Sequence, residues 1–131
     1  MTYTVSHSED TNVLKVVVTD VVTLQHCIHS VDGFLAGGPL RPGTQLLIDA
    51  TNLTPSFSFA DLRALAAYGK RLVQSGLHSV AIIAAGDLVF GLARTLSAYA
   101  EFQGCKVFTF RTQEKAAKWL ESCKLVPYPA T

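Results

Sequence analysis

The sequence predicts an α/β domain built on a mixed, mostly parallel β-sheet, and three observations lead to that prediction. A short apolar run, Gln45–Ala50, lies between turn residues, which is typical of a strand buried on both faces. Helical and extended patterns alternate after this run, and such alternation implies crossovers between parallel strands. Before it, two β-type segments are separated by the short polar stretch 7–12, which permits only an antiparallel hairpin.

Length and composition indicate a single domain, residues 1–131. Hydrophobic residues make up 49% of the chain and charged residues 16%, a balance that excludes intrinsic disorder. The net charge of +1 provides no field that would attract a nucleic acid. No apolar run reaches the length of about 18 residues that suggests a membrane span, and no signal-peptide pattern is present. We therefore expect a cytoplasmic protein without an integral membrane segment.

The first half of the chain is expected to contain a hairpin, a helix and the central strand. The hairpin strands are Tyr3–Ser6 and the β-branched segment Val13–Thr19. Thr23 then precedes an amphipathic helix that ends at Gly37-Gly38. The run Gln45–Ala50 follows as the strand on which the rest of the domain packs.

The second half is expected to alternate between helices and strands. A polar loop, residues 50–58, leads to a helix that begins with a capping box of Ser58 and Asp61 and ends at Gly76. The remaining elements are a strand at Val80–Ala85, a helix at Leu88–Gln103, a strand at Lys106–Phe110 and a helix at Gln113–Ser122. The predicted order is β-β-α-β-α-β-α-β-α, with about five strands and four helices.

Five segments recur in an order that resembles a known family: Leu47-Ile48-Asp49, Val80–Ile83, Gly91–Arg94, Val107-Phe108 and Glu114–Leu120. In that order they resemble the STAS domain, the fold of bacterial anti-sigma-factor antagonists and of the cytoplasmic tail of sulfate-type anion transporters. The closer resemblance is to the SpoIIAA-like (STAS-like) branch, a group of uncharacterised bacterial proteins. The likeness covers roughly the whole domain and is firmest from the central strand onward.

The resemblance implies one candidate phosphoacceptor. In the antagonists, a serine that opens the helix after the central strand is phosphorylated, and the added charge breaks the partner complex. Ser58 stands at the equivalent position, flanked by Phe57 and Phe59, and the Asp and Gly of the family motif are absent. The alternative interpretation is that Ser56 or Ser58 simply caps the helix.

Other chemistry-bearing residues have structural interpretations beside the functional ones. Asp49 and Asp87 follow parallel strands, where acid–base groups are often placed, but turn chemistry also explains them. His26 and His29 share a helical face that suits a metal ion, yet a third ligand is not evident. Phosphate-binding loops and nucleophile elbows are absent from the sequence. We expect no catalytic residues, no metal and no cofactor.

The sequence thus favours a non-catalytic, cytoplasmic protein-interaction or regulatory module that forms a homodimer, with a protein partner whose identity the sequence does not give. An alternative is a carrier or sensor of a small apolar or lipid-like ligand, in a pocket lined by Phe57, Phe59 and Phe90. A small enzyme using Asp49 and Asp87 is the third hypothesis. The candidate partner or ligand surface consists of Thr51, Asn52, Ser56, Phe57, Ser58, Phe59, Phe90 and Arg94.

Overall fold

Nine elements make up the part of the chain that the structure, a computed structural model, describes, which is residues 2–8, 10–38 and 40–124. They are β1 (Thr2–Ser8), β2 (Val13–Thr23), α1 (Leu24–Leu35), β3 (Thr44–Ser56), α2 (Phe59–Gln74), β4 (Leu77–Ile83), α3 (Asp87–Phe102), β5 (Val107–Phe110) and α4 (Gln113–Lys124). The strands lie side by side in the order β1-β2-β3-β4-β5. Strand β1 is antiparallel to β2, and all other neighbours are parallel. The predicted element order and mixed sheet are confirmed.

The helices cover the two faces of the sheet unequally. Helices α1, α2 and α3, which connect the parallel strands, pack on one face, where Val31, Ala66 and Ala93 join the larger core cluster. This placement follows from the sheet order, because right-handed crossovers between successive parallel neighbours put every connecting helix on the same side. Helix α4 follows the last strand and covers the opposite face through Ala116 and Leu120.

The central strand β3 is buried on both faces, as its apolar run predicts. Leu46 belongs to the core beneath α1–α3, and Leu47 belongs to the smaller core beneath α4. Both side chains are 6% exposed. Since successive side chains of a strand point to opposite faces, an unbroken apolar run is what a strand covered on both sides requires.

Strands β2 and β3 run further than the sequence predicts, and the predicted loop 50–58 is wrong. Residues Asn52–Ser56 of β3 pair with Thr19–Thr23 of β2 and extend as a two-stranded ribbon past the end of β4. Val22 and Leu53 on the inner side of this ribbon line an apolar cavity beneath the helices. The apolar surface that they bury favours the extended conformation over the loop that the Thr, Pro and Ser content suggested.

The helix ends agree with the capping signals in the sequence. Thr23 caps α1 by accepting the amide N–H of His26, and Thr112 accepts the N–H of Lys115 at the start of α4. Gly76 follows α2 with a φ of 119°, and a Cβ there would lie 2.8 Å from the carbonyl oxygen of Leu40, so only glycine fits. None of the described helices has the length and hydropathy that a membrane crossing requires.

Candidate functional site

An apolar cavity of about 220 Å³ lies between the sheet and the three helices that cover its first face. Its wall is formed by side chains from all three helices and from strands β2 to β5. Representative lining residues are Val16, Leu46, Ile82 and Val107 from the sheet, and Val31, Phe34, Leu62, Leu65, Val89 and Leu96 from the helices. The volume exceeds the roughly 150 Å³ of an engineered apolar cavity that binds benzene.

The described residues of the cavity wall carry no charge. Among them, Ser30 is the one with a hydroxyl group, and that hydroxyl donates to the carbonyl oxygen of His26 over 3.0 Å. Cys27 and Cys105 also line the cavity, and burial raises the pKa of each thiol to about 11. Both thiols are therefore neutral near pH 7. The cavity suits an apolar molecule and offers nothing that would bind a charged one.

Small residues on the inner faces of α2 and α3 create this space. Ala66 and Gly69 on α2, and Ala93 and Ala100 on α3, occupy lining positions where a larger side chain would fill the interior. The sequence analysis did not predict that the side chains facing the sheet at these positions would leave a gap. The spacing of alanine and glycine along both helices is the feature that could have indicated one.

The three phenylalanines expected to line a pocket together are separated in the structure. Phe57 lines the cavity beside Pro55. Phe59 is 64% exposed at the first turn of α2. Phe90 lies under the guanidinium of Arg111, whose Cζ is 3.9 Å from the ring centroid. The predicted pocket thus retains one of its three aromatic residues, and the cavity extends away from it into the core.

Ser58 forms the predicted capping box at the start of α2. Its Oγ accepts the N–H of Asp61 over 3.1 Å, and the Asp61 carboxylate accepts the N–H of Ser58 over 3.0 Å. The geometry gives Ser58 the structural role expected of a cap. The phosphorylation of Ser58 stays a prediction. Ser56, the other candidate, is exposed at the end of the ribbon.

The two aspartates of the enzyme hypothesis have separate local partners. Asp49 accepts the N–H of Thr51 over 3.0 Å and also the Thr51 hydroxyl, as expected for turn chemistry. Asp87 is 3.0 Å from Arg111, which also donates to the carbonyl oxygen of Ala85 over 2.9 Å. Of the remaining surface candidates, Asn52 and Arg94 are exposed.

The histidine pair on α1 is divided between two environments. The Nδ1 of His26 accepts the N–H of Thr23 over 3.2 Å in the cap of the helix, whereas His29 is exposed. Within residues 2–8, 10–38 and 40–124, no three His, Cys, Asp or Glu side chains are close enough together to hold a metal ion.

Comparison with solved structures identifies the fold. The crystal structure of an uncharacterised protein of the DUF3478 family from Shewanella loihica PV-4, which has a SpoIIAA-like fold, matches this chain with a TM-score of 0.61. The two sequences are 21% identical, and the match covers 91% of this chain and 92% of that one. No protein-family model and no curated protein matches the sequence. The chain has a SpoIIAA-like fold, as its sequence predicts.

Proposed function

We propose that this SpoIIAA-like domain is a non-catalytic, cytoplasmic binding module that holds a small apolar molecule between its sheet and helices α1–α3. The uncharged cavity of about 220 Å³ is the observation that carries the proposal. The fold alone does not carry it, because one fold hosts many functions. The chemistry of the cavity wall favours the carrier or sensor hypothesis over a small enzyme, since the wall offers no acid, base or nucleophile in its reactive form.

The energetic cost of an unfilled cavity supports an occupant. At roughly 24 cal/mol per Å³ for an enclosed cavity, lost packing in this partly open space amounts to at most about 5 kcal/mol. That figure is comparable to the whole stability of many small domains, about 5–15 kcal/mol. An apolar ligand recovers such contacts, and it stabilises the folded state by an amount that grows with the ratio of its free concentration to its Kd.

The size and polarity of the cavity define the class of ligand. In proportion to the roughly 150 Å³ that accommodates benzene, the cavity has room for about nine non-hydrogen atoms. The Ser30 hydroxyl proton is donated to His26, so the described wall offers a head group only the Ser30 oxygen and two weak thiol donors. We infer a compact aromatic or short-chain hydrocarbon ligand, or the apolar end of a longer molecule whose polar group remains in water.

Mass spectrometry of the purified protein tests this proposal. The protein is purified without detergent, extracted with organic solvent, and the extract is compared with that of an Ala93→Leu variant, in which a larger side chain occupies part of the cavity. We expect a small apolar compound that the wild type retains and the variant does not. Identical extracts, together with no stabilisation of the wild type by added toluene or indole, would refute the proposal.

A protein partner is the second candidate, and the exposed apolar side chains at one edge of the sheet favour it. Phe59 at the start of α2 is 64% exposed, and Leu88 at the start of α3 is 69% exposed. Both helix starts follow the carboxyl ends of neighbouring parallel strands, so both residues belong to the same edge. Exposed apolar groups at one edge suit a protein partner or a second copy of the chain.

Sedimentation analysis of two variants tests the homodimer part of this second candidate. We expect the wild-type protein to sediment as a dimer and the Phe59→Asp variant to sediment as a monomer. The matched variant Phe102→Asp replaces a residue that is 89% exposed at the far end of α3, and it should leave the dimer intact. A wild-type protein that sediments as a monomer at high concentration would remove the homodimer from the proposal.

A further inference from the structure

Strand β5 is the last strand of the sheet, and no strand in the described part of the chain pairs with its outer edge. The carbonyl oxygens of Lys106 and Phe110 accept N–H groups from β4 and from the residue that follows it, each over 2.9 Å. Because the backbone groups of successive residues in a strand point to opposite sides, those of Val107 and Thr109 point away from β4. The outer edge therefore offers two donors and two acceptors to a further strand.

The side of β5 that faces α4 carries an exposed aromatic surface. Phe108 is 54% exposed, although its ring centroid lies 5.2 Å from that of Trp119 on α4. The ring centroid of Phe110 lies 5.6 Å from that of Trp119 and 6.4 Å from that of Phe108. The three rings form a continuous apolar surface beside the open backbone groups. A strand added at this edge would cover the exposed ring of Phe108 with its own side chains.

A positive charge lies at the start of the same row of side chains. Lys106 precedes Phe108 by two residues, so both side chains lie on the α4 side of the sheet. The ammonium of Lys106 is 5.8 Å from the ring centroid of Trp119. Within residues 2–8, 10–38 and 40–124, Lys106 has no carboxylate within ion-pair distance. Apolar rings, a cation and free backbone groups together suit an extended segment with apolar and acidic side chains.

A second copy of the chain does not complement this edge. Segment 106–111 contains no acidic residue, so the β5 strand of a second copy would supply no carboxylate to Lys106. Lysine on an edge strand is moreover one of the devices by which proteins prevent such self-pairing. The charge of Lys106 therefore favours a different protein, one that supplies the carboxylate.

We propose that β5 binds an acidic, extended segment of another protein, which joins the sheet as an antiparallel strand. Val107 and Thr109 exchange hydrogen bonds with the backbone of this segment. Its side chains opposite Phe108 and Phe110 are apolar, and the side chain opposite Lys106 is an aspartate or a glutamate. Since an antiparallel strand passes Phe110 first, the segment has the pattern apolar-x-apolar-x-acidic from its N-terminus.

NMR titration with synthetic peptides tests this proposal. The probe is acetyl-Ile-Thr-Val-Thr-Glu-amide, and two control peptides carry Gln in place of Glu or the same residues in reverse order. We expect the backbone amide signals of Val107 and Thr109 to shift saturably with the probe, because each amide gains a hydrogen bond. The amide of Phe110, which faces β4, should shift less. Both control peptides should bind several-fold more weakly than the probe.

Two substitutions connect the shifts to this edge. Phe108→Ala should weaken binding several-fold, whereas Phe59→Ala, which removes an exposed ring from α2, should not. Lys106→Gln should bind the Glu and Gln peptides equally well, which separates the charge of this residue from its packing.

The proposal is overturned if the amides of Val107 and Thr109 do not respond to the probe, or if either control peptide binds the wild type as tightly as the probe does. Binding to Phe108→Ala that equals binding to the wild type would also overturn it. Shifts of the same two amides when the protein is concentrated without peptide would assign the edge to a second copy instead. None of these results bears on the apolar cavity beneath α1–α3.

Discussion

The hydroxyl of Tyr68 on α2 donates a hydrogen bond to the carboxylate of Asp32 on α1. Arg71 joins this pair by donating to the Tyr68 oxygen over 2.9 Å, and its guanidinium lies 3.6 Å from Asp32. The hydrogen bond to Asp32, with a smaller contribution from desolvation, raises the pKa of Tyr68 above its ordinary value. The cluster links two helices that both line the apolar cavity, so it bears on how readily that cavity opens.

We predict that Tyr68→Phe loosens α1. Without the hydroxyl, Asp32 loses its link to α2, and the part of the cavity wall formed by Val31 and Phe34 separates more often from the core. Amide hydrogen exchange should become several-fold faster in α1 and change little in α4. The control Tyr99→Phe removes the same group from α3. Equal exchange rates in both variants would show that the Tyr68 hydroxyl does not hold the helix.

Filling the cavity should stabilise the protein. Ala93 on α3 lines the cavity, and leucine at this position places additional carbon atoms in the space. With both proteins freed of ligand, we expect Ala93→Leu to raise the free energy of unfolding by about 0.5–2 kcal/mol, as cavity-filling substitutions commonly do. Ala98→Leu makes the same change at an exposed position of the same helix and should have little effect. Destabilisation by Ala93→Leu, measured by denaturant unfolding, would instead indicate a filled interior.

The stability of the fold should fall in alkaline solution because of Cys105. Burial raises the pKa of this thiol from 9.0 to about 11, so the folded state retains its proton where the unfolded state loses it. The contribution of the protonated Cys105 thiol to the free energy of unfolding is fully present below about pH 8. It is lost as the pH rises through 11, which lowers the free energy of unfolding by up to about 2–3 kcal/mol.

Comparison with Cys105→Ala separates the thiol from other groups that titrate in this range. The difference in unfolding free energy between wild type and variant should be constant up to about pH 8 and then shift against the wild type between pH 9 and 11. Urea unfolding at a series of pH values measures it. A difference that stays constant up to pH 11 would mean that water reaches the thiol in the folded protein.

The cap of α2 provides a further stability test. Ser58→Ala removes the acceptor for the Asp61 N–H and should lower the free energy of unfolding by about 1 kcal/mol. Ser56→Ala, two residues earlier and outside the capping box, should change it little. If both variants unfold at the same denaturant concentration as the wild type, the capping box makes no net contribution.

The fold could be predicted from the sequence because the features that indicate it are local. The apolar run around Leu46 and Leu47 indicated a strand covered on both faces, and the capping box at Ser58 and Gly76 marked the two ends of α2. The strand Asn52–Ser56 was missed because its pairing with Thr19–Thr23 depends on tertiary contact. Its Thr, Pro and Ser residues favour a loop when considered alone.

The candidate sites were harder to predict from the sequence, because a cavity depends on how several helices and strands pack together. The apolar carrier hypothesis stood on three phenylalanines, of which only Phe57 lines the cavity. The space itself depends on how far the sheet is held from α2 at Ala66 and from α3 at Ala93.

The most direct test of the apolar cavity is an NMR titration of the methyl groups with toluene. We expect saturable shifts of the methyl signals of Val31, Leu62 and Leu96, which line the cavity, and no comparable shift of Leu120 on the other face. Ala93→Leu should abolish these shifts. Cavity methyl signals that do not respond, or that respond equally in Ala93→Leu, would contradict the binding of an apolar molecule between the sheet and helices α1–α3.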